Sequence, residues 1–443
     1  MDTICAISTP YGVGGIAVVR VSGEQAIELV DGLFRGRHCL TDTPAGSVRH
    51  GHIVRGEETL DEVVCSVFRA PHSFTGEDVV EVACHGSLYI QQTLLAWLVD
   101  AGARTAQPGE FTQRAFLNGR MDLTQAEAVA DLIAARSKAE KDLALSQLRG
   151  AVSDELTRLR ERLLHFTSLI ELELDFADHE ELEFADRGEL KDLAREIADK
   201  LQRLIDSFRT GNAIRHGIAV AIVGAPNVGK STLLNALLGE QRAIVSDIQG
   251  TTRDTIEDTL LIDGILFRLI DTAGLRETSD TIENMGIARS KQAIERAQIV
   301  VCIEDASLQD GSAGLQHLQA KGTVIRVHNK ADLLEDGAKS KAQGLLISAK
   351  NGDVEPLKRE LVRVAREMMQ PSAVMLSNAR HYEAVRRAHE AIRRVEEGLQ
   401  QGLSGELLSL DLQDCLTALG EVTGQITNQE VLNNIFSKFC IGK

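Results

Sequence analysis

The chain has 443 residues, enough for about two to four domains of ordinary size. Apolar residues make up 43% of it and aromatics only 4%, a balance that favours helices and α/β layers over β-sandwiches. The net charge of −17 excludes a global positive field for nucleic acid, so any RNA contact needs a local basic patch or a partner that supplies one.

The chain opens Met1-Asp2-Thr3, with no basic region and no long apolar run. A signal peptide and stable membrane insertion are therefore not expected, and a cytoplasmic location is. Seven cysteines lie far apart without a C-x-x-C pair. An odd, scattered set argues against a disulfide framework or a zinc site.

Short β-type stretches at 16–21, 63–68 and 79–83, with a helix-like stretch at 88–99, predict an N-terminal α+β domain. The glycine-rich turn 12–15 leads into a strand-like segment, so it reads as a hairpin rather than a dinucleotide loop. Asp122 and Gln125 have capping-box spacing before an apolar helical pattern. Leu145, Leu148, Val152, Leu156, Leu159, Leu163, Phe166 and Ile170 recur at steps of three and four, which predicts one long amphipathic helix in a bundle. Apolar strands at 218–223, 266–270, 299–303, 324–327 and 345–347 then alternate with helical segments, the pattern of a mostly parallel sheet. Helical pattern returns from Asn378 to the end. The expected architecture is a multidomain α/β and α+β chain. It has an N-terminal domain at 1–118, a helical domain in two parts at 119–213 and 373–443, and an inserted Ras-like P-loop α/β domain at 214–372.

Gly224-Ala225-Pro226-Asn227-Val228-Gly229-Lys230-Ser231 follows a strand and opens a helix with Thr232, the setting of a phosphate-binding loop. Its N–H groups and the helix N-terminus would face the phosphates. Lys230 would reach the β and γ phosphates, and Ser231 would hold Mg²⁺. Gly250-Thr251-Thr252-Arg253-Asp254 looks like a first switch, with Thr252 as a second Mg²⁺ ligand. Asp271-Thr272-Ala273-Gly274 ends a strand; Asp271 would hold the metal's water shell and Gly274 N–H would meet the γ-phosphate. Asn329-Lys330-Ala331-Asp332 ends another, and the Asp332 carboxylate can accept two N–H bonds from guanine. Adenine has no matching donor pair and would leave a buried carboxylate unpaired. Ser348, Ala349 and Lys350 close the base pocket. The order of these motifs specifies GTP.

The position that carries a water-orienting glutamine in Ras is Leu275 here, which cannot hydrogen-bond a water. Glu283 is the candidate for that task. Positive charge between the phosphates is also required. Asn227 offers an amide oxygen for a monovalent cation there, and Arg253 and Arg276 are rival charge donors.

The sequence resembles the MnmE/TrmE tRNA-modification GTPases along essentially its whole length. The resemblance rests on the terminal Phe439-Cys440-Ile441-Gly442-Lys443, the run from Pro108 to Asn118, Ser73-Phe74-Thr75-Gly76-Glu77-Asp78, and Asp271-Thr272-Ala273-Gly274-Leu275-Arg276. It implies an N-terminal domain that dimerises and binds 5,10-methylene- or 5-formyl-tetrahydrofolate through Arg20, Glu77 and Arg120, with Lys443 near the pocket. It extends the nucleotide loop over Ser246, Asp247, Ile248, Gln249, Gly250 and Thr251. Potassium ligands then fall on Asn227, Ser246, Ile248 and Thr251, and the water-orienting carboxylate on Glu283. It further implies a homodimer that joins an FAD-dependent partner in a heterotetramer. That complex adds an aminomethyl or carboxymethylaminomethyl group at C5 of the tRNA wobble uridine, with Cys440 as a residue proposed to take part. Two other readings share the nucleotide motifs: an assembly switch of the ribosome-biogenesis kind, and a GTP-gated scaffold without folate chemistry. The basic stretch Arg386, Arg387, Arg393 and Arg394 is read as a solvated helix face.

Overall fold

A computed structural model of the protein describes residues 2–175, 186–239, 258–270, 293–308, 322–334, 344–369, 374–437 and 439–442. They form two units: residues 1–130, 148–164 and 416–443, and residues 131–147 and 165–415.

The first unit is built on a seven-stranded sheet of β1 (Ile4–Ile7), β2 (Gly14–Ser22), β3 (Phe34–Gly36), β4 (Ser47–Arg55), β5 (Glu58–Phe68), β6 (Val79–Gly86) and β7 (Arg104–Thr105). Its order is β3-β4-β5-β6-β2-β1-β7, antiparallel except between β1 and β7. The β1–β2 pairing bears out the hairpin reading of residues 12–15. In β2, Ala17, Val19 and Val21 are buried and alternate with the half-buried Val18 and Arg20. That alternation turns the apolar set toward helices α1 (Ala26–Leu33) and α2 (Leu88–Asp100), where Val30, Leu94 and Leu98 close the core. Each such side chain contributes about 1.5–3 kcal/mol by leaving water. Arg20 is left on the opposite face.

Helix α3 (Glu110–Leu117) follows, then α4 (Leu123–Ala134). The capping box forms as its spacing predicts: Gln125 Oε1 accepts from Asp122 N–H, and Asp122 Oδ1 accepts from Gln125 N–H, both at 2.9 Å. The single long helix expected from the leucine stripe is instead two, α5 (Lys138–Leu148) and α6 (Ala151–Asp175). Gly150 makes the break with φ +90°, a left-handed conformation that favours glycine. Its carbonyl then accepts from Asp154 N–H at 2.8 Å to start α6. In α6 the stripe is buried at Val152, Leu156, Leu159, Leu163 and Ile170, whereas α5 buries Leu143, Ala144 and Gln147 and leaves Leu145 and Leu148 half-buried.

In the second unit α7 (Arg187–His216), capped by Asp186, leads through Gly217 into β8 (Ile218–Val223). After α8 (Lys230–Gly239) come β9 (Asp258–Ile262), β10 (Ile265–Ile270), β11 (Ile299–Asp305), β12 (Thr323–Asn329), β13 (Leu345–Leu346) and helix α9 (Glu355–Met368). The sheet order is β13-β12-β11-β8-β10-β9, parallel except for the β9–β10 hairpin, whose first strand the sequence reading did not identify. Every residue of β8 is buried, as a central parallel strand covered on both faces requires.

Helix α10 (Ala379–Gln401) and the first part of α11 (Gly405–Thr423), up to Cys415, complete this unit's helical part. Phe208 of α7 stacks on Tyr382 of α10 with centroids 4.4 Å apart. A Cβ on Gly211 of α7 would lie 2.1 Å from Leu376 O, so only glycine permits that approach. Helical segments before and after the α/β insert thus share one bundle. The basic stretch on α10 is ion-paired: Arg386 with Glu383 (3.0 Å), Arg393 with Glu396 (3.2 Å), Arg394 with Asp411 (2.5 Å) and Asp414 (3.1 Å).

The chain ends back in the first unit. Helix α12 (Gln429–Phe436) joins Leu123, Ala126, Leu432, Phe436 and Phe439 in a separate small core. Ser8 Oγ donates to Gly442 O at 3.1 Å, so the C-terminal tail lies against the end of β1. No helix among the described residues is long and apolar enough to cross a membrane.

Candidate functional site

The motifs converge where β8, β11, β12 and β13 end, at the carboxyl edge expected for ligands of such a sheet. Gly224 turns out of β8 against β11; a Cβ there would stand 2.4 Å from Ile303 O. Asn227 (φ 62°) and Gly229 (φ 97°) take left-handed backbone, while Val228 between them is buried in the sheet core. Left-handed residues within such a turn gather successive N–H groups into an anion-binding nest. Lys230 Nζ donates to Gly224 O (2.9 Å) and Ala225 O (2.8 Å), which holds the ammonium against the loop backbone. Burial pulls its pKa below the ordinary lysine value. Ser231 is half-buried and Thr232 exposed in the first turn of α8.

Asn329 performs a task its motif does not advertise. Buried at the end of β12, it donates from Nδ2 to Val228 O (2.9 Å) and accepts on Oδ1 from Ala349 N–H (3.0 Å). One side chain therefore ties the phosphate loop to the turn at 348–350. Lys330, in left-handed conformation, donates to Asp305 Oδ2 at 2.6 Å. Burial works against charge on Asp305, but Lys330 and Ser307 outweigh it and hold the carboxyl below its ordinary pKa.

Asp332 lies in the turn Ala331–Leu333 and accepts from Ser348 Oγ at 2.6 Å. That hydroxyl is the main reason its carboxyl sits below the usual pKa, so it stays ionised as an acceptor. Asp332 is exposed at the rim, so the buried, unpaired carboxylate expected with adenine would arise only when a bound base desolvates it. Lys350 is exposed on the same turn. Ser246, Asp247, Ile248, Gln249, Gly250, Thr251, Thr252, Arg253, Asp271, Thr272, Ala273, Gly274, Leu275, Arg276 and Glu283 lie outside the described residues, as does Lys443.

The tether makes a testable demand. Asn329→Ala leaves the Val228 carbonyl and the Ala349 N–H without their partner, and is expected to destabilise the protein by about 2–4 kcal/mol. Urea denaturation would read this as a lower midpoint together with weaker nucleotide binding; an unchanged midpoint would mean the tether is dispensable.

A second polar cluster lies on the first unit. Arg20 pairs with Glu81 across the β2–β6 register (2.7 Å), and its guanidinium lies 5.2 Å from the Phe74 ring centroid and 5.5 Å from that of Phe111. Glu77 accepts from Ser22 Oγ (2.7 Å) and from Arg114 (3.1 Å). Arg114 is almost fully buried and also reaches Asp2 (2.7 Å) and Glu110 (3.1 Å). The stem of Arg120 packs on Gly76, where a Cβ would be 3.2 Å from Arg120 Cγ. Arg20 and Ser22 share one face of β2, and Ser22 holds Glu77. No spacing in the sequence connects Ser22, Arg114 and Asp2 to Glu77. Cys440 is exposed, and its carbonyl accepts from Gly109 N–H at 3.4 Å.

Comparison with known proteins agrees with this layout. Residues 3–120 match the family model for the N-terminus of the GTP-binding protein TrmE, and residues 123–440 match that for the MnmE helical domain. Proteins named tRNA modification GTPase MnmE from Parabacteroides distasonis and Porphyromonas gingivalis are 53% and 49% identical to this chain. The alignments cover 100% of this chain and 100% and 98% of those proteins. Among solved structures, the G domain of FeoB from Methanococcus jannaschii is similar at 25% identity over 33% of this chain and 96% of that chain, with a TM-score of 0.24. Whole-length identity near one half, together with family models matching both its N-terminal and its helical regions, places the chain in the MnmE family of tRNA modification GTPases.

Proposed function

We propose that the protein is a K⁺-activated, Mg²⁺-dependent GTPase that acts in tRNA wobble-uridine modification. The observation that carries the nucleotide part is the Asn329 tether, which sets the phosphate loop and the Asp332–Ser348 base site in one rigid frame. In this reading Lys230 neutralises the β and γ phosphates, Ser231 and Thr252 hold Mg²⁺, and Gly274 N–H meets the γ-phosphate. Glu283 orients the attacking water. Asn227 is exposed and its amide has no partner among the described residues, which suits a K⁺ site shared with Ser246, Ile248 and Thr251. The ion would supply the positive charge that the transition state requires.

The rest of the proposal follows the family. The protein works as a cytoplasmic homodimer with an FAD-dependent partner, divided into domains at 1–118, 119–213, 214–372 and 373–443. Tetrahydrofolate, when bound, supplies a one-carbon unit. The residues at hand suit a ligand of that shape: Ser22 and Arg114 hold Glu77 in place, while Arg120 keeps an exposed guanidinium for a carboxylate. Arg20 and Lys443 complete that set, and Cys440 is the candidate for the modification step itself.

The test is GTP turnover in K⁺ against Na⁺ at equal ionic strength, with particle size recorded. Faster turnover and compaction only in K⁺ are expected. Equal turnover would remove the cation from Asn227 and return the charge to Arg253 or Arg276.

A further inference from the structure

Carboxylates outnumber lysine and arginine by 65 to 48, so a polyanion approaching this chain meets repulsion over most of its surface. Exposed arginines are commonly neutralised. Besides those on α10, Arg363 is paired with Glu360 and Glu367, Arg366 with Asp263, and Arg55 with Asp100. The outer strand of the first unit's sheet is different. Arg35 is exposed on β3, and among the described residues its guanidinium donates only to the carbonyls of Gly32 (3.2 Å) and Phe34 (2.8 Å). Arg37, exposed just beyond the strand, has no hydrogen bond or ion pair among the described residues. Arg69 donates to the carbonyls of Thr41 (2.6 Å) and Thr43 (3.4 Å). These contacts hold the guanidinium groups in place without cancelling their charge. His52 faces Arg35 across the β3–β4 register.

Three carboxylates, Asp31, Asp42 and Glu62, stand beside this edge, but none is ion-paired with Arg35, Arg37 or Arg69 among the described residues. Asp31 accepts from Leu40 N–H (2.6 Å) and Thr41 Oγ1 (3.1 Å), which fixes the loop carrying Arg37 and His38. Glu62 pairs with His50 at 2.7 Å. Asp42 is the remaining exposed carboxylate in the 37–43 loop.

We propose that this β3–β4 edge, with Arg35, Arg37 and Arg69 as its cations, is a contact surface for the backbone phosphates of tRNA. The proposal rests on the tRNA reading of the function and adds the place of contact. Arginine suits the role because its fork holds a phosphate by paired N–H bonds. Contacts of this kind carry no sequence information; they position the RNA and make binding depend on salt. Charged side chains on an edge strand also block pairing with another sheet, so the surface has to be told apart from an edge guard.

The experiment measures binding of unfractionated tRNA to the full chain across about 50 to 200 mM salt. It compares the parent with Arg35→Gln/Arg37→Gln and with Arg386→Gln/Arg393→Gln, where the arginines are already ion-paired. GTP turnover in each variant reports that it is folded. For the edge variant, the slope of log affinity against log salt should become shallower by about 2. The affinity lost over that range should then shrink about tenfold. The α10 variant should match the parent. A parent that binds tRNA and an edge variant with the same slope would overturn the surface and leave the tRNA reading intact. An edge variant that self-associates while binding tRNA normally would show the arginines to be edge guards, also against the proposal. A parent with no tRNA binding would remove both.

Discussion

Asp332→Asn is expected to exchange guanine for xanthine preference. A carboxylate offers two acceptor oxygens to guanine's two N–H donors, and Ser348 holds one of those oxygens at 2.6 Å so that the group cannot rotate freely. An asparagine keeps one acceptor and puts an NH₂ donor where guanine presents its amino group. Donor then meets donor, and GTP affinity should fall by on the order of 10⁴-fold. Xanthine has a carbonyl in place of that amino group, so XTP gains what GTP loses. Competition between GTP and XTP on the variant checks this; an unchanged preference would mean Asp332 is not the base reader. The pKa of Asp332 is lowered from 3.8, so its charge is present above the ordinary carboxylate range and lost only as pH falls through the lower folded value. Guanine recognition by this group should therefore not weaken as pH falls from neutrality toward 3.8.

Gly229→Ala should strongly weaken nucleotide binding without removing any ligand-facing side chain. The residue has φ 97°, where a Cβ is strained by about 1–3 kcal/mol. That Cβ would also stand 2.3 Å from Asn329 Nδ2. Relief requires either the loop or Asn329 to move, and movement of Asn329 breaks its bonds to Val228 and Ala349 together. Nucleotide affinity should fall at least about 100-fold if the clash forfeits even two hydrogen bonds' worth of positioning. Gly56→Ala is the control. It has a similar positive φ of 63° but nothing within 4 Å of the added Cβ, so it should lower stability slightly and leave nucleotide binding alone. If the two variants behaved alike, backbone strain rather than the Asn329 contact would be the cause.

Much of this molecule was legible in the sequence because local chemistry forces local geometry. Gly224 through Ser231 could be read as a phosphate loop since glycines there permit backbone that other residues resist. The Asp122–Gln125 pair declared a helix start through two hydrogen bonds three residues apart. Alternation in β2 put Arg20 on the face away from α1 and α2. Motif order specified guanine, and the whole-length resemblance named the family.

What the sequence could not decide was which distant groups meet. The leucine stripe did not reveal the break at Gly150, because apolar steps of three and four run on from α5 into α6 although α5 buries Leu143, Ala144 and Gln147 instead of its stripe leucines. Asn329 could be recognised as part of a base motif, but not as the tether to Val228, 101 residues away. Glu77 could be named, whereas its anchors Ser22 and Arg114 come from a strand and a helix that pattern does not connect. The α10 arginines and the β3 arginines look equally basic along the chain. Only packing pairs Arg394 with Asp411 and Asp414 of α11 while leaving Arg35 and Arg37 beside carbonyls and solvent. Local backbone preference is a property of a few neighbouring residues and can be read in order. Charge neutralisation and buried hydrogen-bond partnership depend on separations through space, which exist only once the sheets and helices have packed.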